Sequence, residues 1–102
     1  MVRNSLPNYL AQREDETFCF DPKAKSKIEH FGWVNGRDAI SYRELAKTCK
    51  VPVYLNFIQL VGGKVRGEIG HCNIENEPIR KGTAWNGNVV WIYKWEKGLA
   101  KT

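Results

Sequence analysis

The chain has no apolar run of the roughly 18–20 residues that a helix needs to cross a bilayer, which excludes a membrane-spanning reading. It has only two histidines, His30 and His71, and three cysteines, Cys19, Cys49 and Cys72. An odd set of thiols in unrelated surroundings does not make a disulfide framework and reads as reduced thiols in a cytoplasmic protein. No Cys-x-x-Cys or His-x-x-x-His spacing completes a metal site, although Glu68, His71 and Cys72 have ligand chemistry. The opening residues lack the apolar core of a secretory signal, so no leader is expected. Internal repeats, low-complexity tracts and linkers rich in Gly, Ser or Pro are all missing. No cofactor is implied.

What is present is one domain's worth of chain. In 102 residues, 42% are hydrophobic and 12% aromatic, enough to fold, whereas two separate cores would each be marginal. A single domain over 1–102 is expected, frayed from about 97. Sixteen basic residues against eleven acidic ones leave a net charge of +5, spread over both halves rather than gathered in a tail. A diffuse basic excess favours approach to polyanions and equally describes a solvated, lysine-rich surface.

The patterning predicts an α+β fold: a small, mostly antiparallel β-sheet built from hairpins and packed with one or two helices. Residues 5–15 suggest a short N-terminal helix with Leu6 and Leu10 on one side and Pro7 near its start. Residues 17–20 read as a brief strand closed by Asp21-Pro22. Asn35-Gly36 is a hairpin signal, placing a strand over 27–34 and its partner over 37–40. Ser41-x-x-Glu44 has the form of a capping box, and Tyr42, Leu45, Ala46 and Cys49 follow at helical spacing, predicting a helix over 42–50 before Pro52. Arg43, Lys47 and Lys50 form a separate basic face. Residues 53–61 are rich in β-branched and aromatic side chains and read as a strand. A helix stays open there, because Asn56 and Gln59 would share one side of it. Gly62-Gly63 then turns the chain into a strand over 64–74. Asn86-Gly87 joins strands over 79–85 and 88–96, the last carrying Trp91, Tyr93 and Trp95 with Val89 on one face.

Two short phrases resemble known families. The stretch from Ile40 to Pro52, with Glu44-Leu45-Ala46 and Val51, is similar to the first helix and turn of winged-helix regulators. It departs from them at Asn56 and Gln59, which stand where a recognition helix has core residues, and at Lys50, which replaces the turn glycine. As helix residues, the two amides match the donor–acceptor pair of adenine in the major groove. The phrase from Arg80 to Val90 resembles the barrel opening of plasmid-borne type II dihydrofolate reductases. Trp91 stands where their strand needs glutamine, so the activity is not carried over and only a curled β structure is implied.

Catalytic constellations are thin. His71 and Cys72 are adjacent, and on a strand their side chains point to opposite faces. Asp21-Pro22-Lys23 has the acid and lysine spacing of nuclease cores without an earlier acid, and Gly62-Gly63-Lys64 lacks the rest of a phosphate loop. The sequence therefore points to a non-enzymatic nucleic-acid-binding protein. Arg43, Lys47, Lys50, Lys64 and Arg66 would contact phosphates, Asn56 would add selectivity, and Trp91, Tyr93 and Trp95 would form a stacking platform. Those rings serve equally well as core. The alternative is a protein-binding inhibitor or adaptor, of the kind phages and mobile elements encode, with aromatic anchors and a basic surface against an acidic partner. An enzyme with a pocket converging on His30 or His71 comes third.

Overall fold

The structure, a computed structural model, describes the backbone of residues 9–13 and residues 16–100 in full. Along the chain run β1 (Tyr9–Arg13), β2 (Glu16–Lys25), a 3-10 turn (Ile28–His30), β3 (Trp33–Asn35), α1 (Gly36–Cys49), β4 (Val53–Val61), β5 (Lys64–Asn73), β6 (Arg80–Thr83), β7 (Val89–Ile92) and β8 (Glu96–Lys97). The fold is α+β, with two sheets rather than one: β1-β2-β4-β5-β8 and β3-β7-β6. Among the described residues, all pairings are antiparallel except β2 with β4. A parallel pair needs a long crossover, and residues 26–52 supply it, carrying β3 and α1 on the way. No helix among the described residues is long and apolar enough to cross a membrane.

Strand alternation builds the core. Val53, Leu55 and Phe57 point to one face of β4 and are each 0% exposed, worth about 1.5–3 kcal/mol apiece. Cys72 lies opposite Leu55 on β5. The helix adds Ala39, Tyr42 and Ala46, and the smaller sheet adds Val34 and the nearby Tyr93. Asn56 and Gln59, which a helix would have placed together, diverge on the strand. Asn56 accepts from the Ala100 backbone N–H at 3.1 Å. Gln59 donates to the Ser26 carbonyl and accepts from the Glu68 N–H at 3.1 Å. The register shifts at Gln59. Gly67 faces it with φ +89°, where a Cβ would overlap the Gln59 amide oxygen, so only glycine fits the irregularity.

Several expectations are corrected. Residues 9–13 of the expected N-terminal helix form β1, paired with β2 from Tyr9–Phe20 to Arg13–Glu16; the rest of that helix lies outside the described residues. Asn35-Gly36 makes no hairpin. Asn35 caps α1, its Oδ1 accepting the Arg37 N–H at 2.9 Å. Gly36 serves packing, since a Cβ there would lie 3.1 Å from both Trp91 Nε1 and Val89 Cγ1. The helix therefore starts six residues earlier than expected, Ser41 lies inside it instead of capping it, and Cys49 is exposed. Residues 88–96 are not one strand: the chain leaves the small sheet after Ile92 and joins the large one at Glu96. Residues 97–100 are not frayed, because Gly98 N–H bonds Ile69 O at 2.8 Å and Ala100 is buried.

Burial also fixes how stability depends on pH. Burial pushes the Cys72 thiol up to about 12 from 9.0. It also raises Tyr42, helped by the hydrogen bond to Asp21, and raises Tyr93 against the opposing Arg43. Each group is neutral when protonated and holds its proton more tightly when folded. Their contribution is whole below the unfolded values near 9–10 and is lost as pH rises through the raised ones. Lys25, lowered by burial and then by Lys23, acts in the opposite sense. Denaturant titrations at pH 8 and pH 10.5 should show a net loss of about 1–3 kcal/mol at the higher pH. Equal midpoints would mean that these groups ionise freely in the folded protein.

Candidate docking surface

The residues expected to bind phosphates do not converge as a set: only Arg43 and Lys47 share a hollow. Arg43 is committed to the chain after β5: its Nη1 donates to Ile74 O at 2.9 Å and Asn76 O at 2.8 Å, and Nη2 lies 3.6 Å from Glu77. Lys47 lines that hollow with Arg43, Glu44 and Glu75, where two carboxylates offset the two cations. Lys50 closes α1 in the left-handed conformation. Lys64 and Arg66 sit on β5 beside the far end of β4, whose nine residues put roughly 26 Å between the two groups at 3.3 Å per residue. Asn56 is 6% exposed and bound to Ala100, out of reach of a base.

The stacking platform is likewise corrected. Tyr93 is 1% exposed, with its hydroxyl donating to Ile74 O at 3.1 Å. Trp95 is half-buried, edge-on to Phe31 at 5.0 Å between ring centroids. Trp91 is half-buried, with Lys81 Nζ 3.8 Å and Arg43 Cζ 5.7 Å from its ring centroid. Period-two alternation put these rings on one face, but it holds only while the chain stays in one sheet, and this chain changes sheets between Ile92 and Glu96.

Thiols, imidazoles and carboxylates are mostly engaged with neighbours. Asp21, 2% exposed, accepts from the Tyr42 hydroxyl at 2.8 Å and pairs with Lys23 at 2.9 Å. Lys23 also meets Asp38 in the first turn of α1 at 3.1 Å. Burial disfavours the Lys23 charge, but hydrogen bonds and attraction from Asp21 and Asp38 outweigh it and hold the amine above its ordinary value. His71 Nδ1 contacts Gly98 O at 2.9 Å, and His30 packs on Trp33. Among the described residues, no group of three or more His, Cys, Asp or Glu is placed to hold a metal ion.

One element differs from the rest. Strands β6 and β7 form a hairpin whose turn is closed by Gly87 N–H to Ala84 O at 2.9 Å, with Gly87 at φ +84°. Asn86-Gly87 thus does what its sequence predicted. Trp85 precedes it at the crown of the turn and is 98% exposed. All four residues of β6 are exposed, and Ile79 and Val89 beside them are 66% and 54% exposed. Behind β6, a groove of about 190 Å³ runs over Trp33, Val90 and Ile92 with Arg80 at its side. Residues 78–95 contain Arg80, Lys81 and Lys94 and no acid. Trp85, expected within a strand over 79–85, lies past the end of β6 at Thr83. The available signal was a bulky apolar residue immediately before Asn-Gly, where the chain reverses and nothing can cover it. No protein-family model, curated protein or solved structure matches this chain.

Proposed function

We propose that the protein is a small non-catalytic binding module, an inhibitor or adaptor, that docks through its β6–β7 hairpin onto an apolar pocket with an acidic rim on another protein. The supporting observation is Trp85, 98% exposed at the crown of a hairpin whose own charged residues, Arg80 and Lys81, are both cations. Tryptophan at the centre of an interface is the commonest kind of anchor, and surrounding charges steer the partner and fix its orientation. Exposed Ile79 and Val89 favour a protein over a nucleic acid, whose backbone offers such side chains little apolar surface to bury.

Immobilised wild-type protein and an Arg80→Glu/Lys81→Glu variant, run in parallel against extract of the source cells, test the proposal. The partner should be retained by the wild type, and the purified partner should rebind it at least about tenfold more tightly than the variant, as expected for lost charge complementarity. Nuclease-sensitive retention of DNA or RNA, with affinity falling steeply with salt, would instead assign the hairpin to a polyanion. Equal retention of the partner by both proteins would remove the hairpin from the interface.

A further inference from the structure

Resting on that reading, we infer that the hairpin engages its partner by strand addition: an extended segment of the partner pairs antiparallel with the open edge of β6, presenting an apolar residue followed by two acids. The ladder shows which backbone groups are available. Ala84 N–H bonds Asn88 O at 2.8 Å, and Gly82 and Val90, then Arg80 and Ile92, follow at steps of two in the same register. In an antiparallel pair such positions exchange hydrogen bonds with each other, while the alternate residues turn their N–H and C=O away. Lys81 and Thr83 therefore point their backbone groups outward from β6, which is the last strand of its sheet among the described residues.

Side chains give the edge its selectivity. Arg80 shares the outer face with Ile92 and Trp33, opposite it in register. Lys81 lies on the other face, over Trp91. Between these charges and the turn, Gly82 leaves a gap beside Val90: a Cβ there would meet nothing within 4 Å. An incoming antiparallel strand would place one side chain into that gap, then acids opposite Lys81 and Arg80. Cross-strand pairs of opposite charge stabilise such a ladder, and like charges destabilise it. The same cations argue against a second copy as the occupant, since two β6 edges would bring Arg80 and Lys81 of both chains into one short ladder.

The probe is a capped peptide, Thr-Thr-Phe-Glu-Glu-Thr-Val, with a control in which lysines replace both glutamates. Hydrogen exchange should show the Lys81 and Thr83 amides slowed at least about tenfold by the acidic peptide and unchanged by the control, because these two amides gain partners only in the added strand. Thr83→Pro removes one outward N–H while leaving the β6–β7 ladder intact. Gly82→Val fills the gap from a Cβ that meets nothing within 4 Å. Both variants should keep the wild-type melting temperature and weaken the peptide at least about tenfold, by loss of backbone pairing and of the seat respectively. Undiminished peptide binding by both variants would overturn strand addition, as would protection that grows with protein concentration alone, which would mean self-pairing. A wild type that ignores the peptide yet retains a partner in a manner sensitive to Arg80 and Lys81 would overturn strand addition while leaving the hairpin reading in place.

Discussion

Replacing Asp21 with alanine should cost about 3–5 kcal/mol, the usual penalty for removing one member of a buried, hydrogen-bonded charge cluster. The carboxylate is 2% exposed, faces Leu55 across the parallel ladder, and binds both Tyr42 and Lys23. Without it, Lys23 keeps only Asp38, and the Tyr42 hydroxyl loses its carboxylate acceptor. Against a total stability of about 5–15 kcal/mol, this brings the variant near the unfolding threshold. The melting temperature should fall by roughly 12–40 °C, at 4–8 °C per kcal/mol for a domain of this size. Asp21→Leu combined with Lys23→Met should recover most of the loss, because the one charge left without its partner is then Asp38, whose side chain water still reaches. Calorimetry on the two variants decides the point. A loss below about 1 kcal/mol for Asp21→Ala, small beside known buried clusters, would mean that the carboxylate is held for chemistry rather than for the fold.

This cluster also marks a limit of local reading. Asp21-Pro22 looked like the end of a strand, because proline lacks the N–H that a central strand needs. In the fold β2 continues to Lys25. Among the described residues its pairing with β1 runs only as far as Phe20, and a strand tolerates proline where the nitrogen does not face a paired neighbour. Gly62-Gly63 and Asn86-Gly87 were legible because each joins strands that pair directly with one another. Asn35-Gly36 was not. The dipeptide that makes a tight turn also supplies a helix cap and a side-chain-free first residue, and the choice was made by Trp91 and Val89, more than fifty residues away. Arg43 and Lys47 do lie on α1, with Lys50 just past it as the cap, but spacing says nothing about what lies across from them. Arg43 is engaged by carbonyls 31 and 33 residues further along the chain.

Trp85→Ala should separate stability from binding more sharply than any other substitution. At 98% exposure the indole has almost no contact to lose, so the melting curve should move by no more than about 0.5 kcal/mol, as for ordinary surface changes. A buried indole would contribute at least about 2–3 kcal/mol to folding; the fold leaves that apolar area in water at the crown of the turn. Placed in a partner's pocket, the same area is removed from water on association, and truncating such an anchor typically costs at least 2 kcal/mol, about a thirtyfold loss of affinity. Alanine at Trp91 gives the contrasting result. That ring packs against Gly36 and carries Lys81 above it, so its removal should destabilise the protein by about 3 kcal/mol, as for other packed aromatic residues. Isothermal titration of the purified partner against both variants, with melting curves alongside, reads the two effects separately. If Trp85→Ala bound the partner as tightly as the wild type, the exposed ring would have no part in docking, and the hairpin would retain only its cations and its open edge.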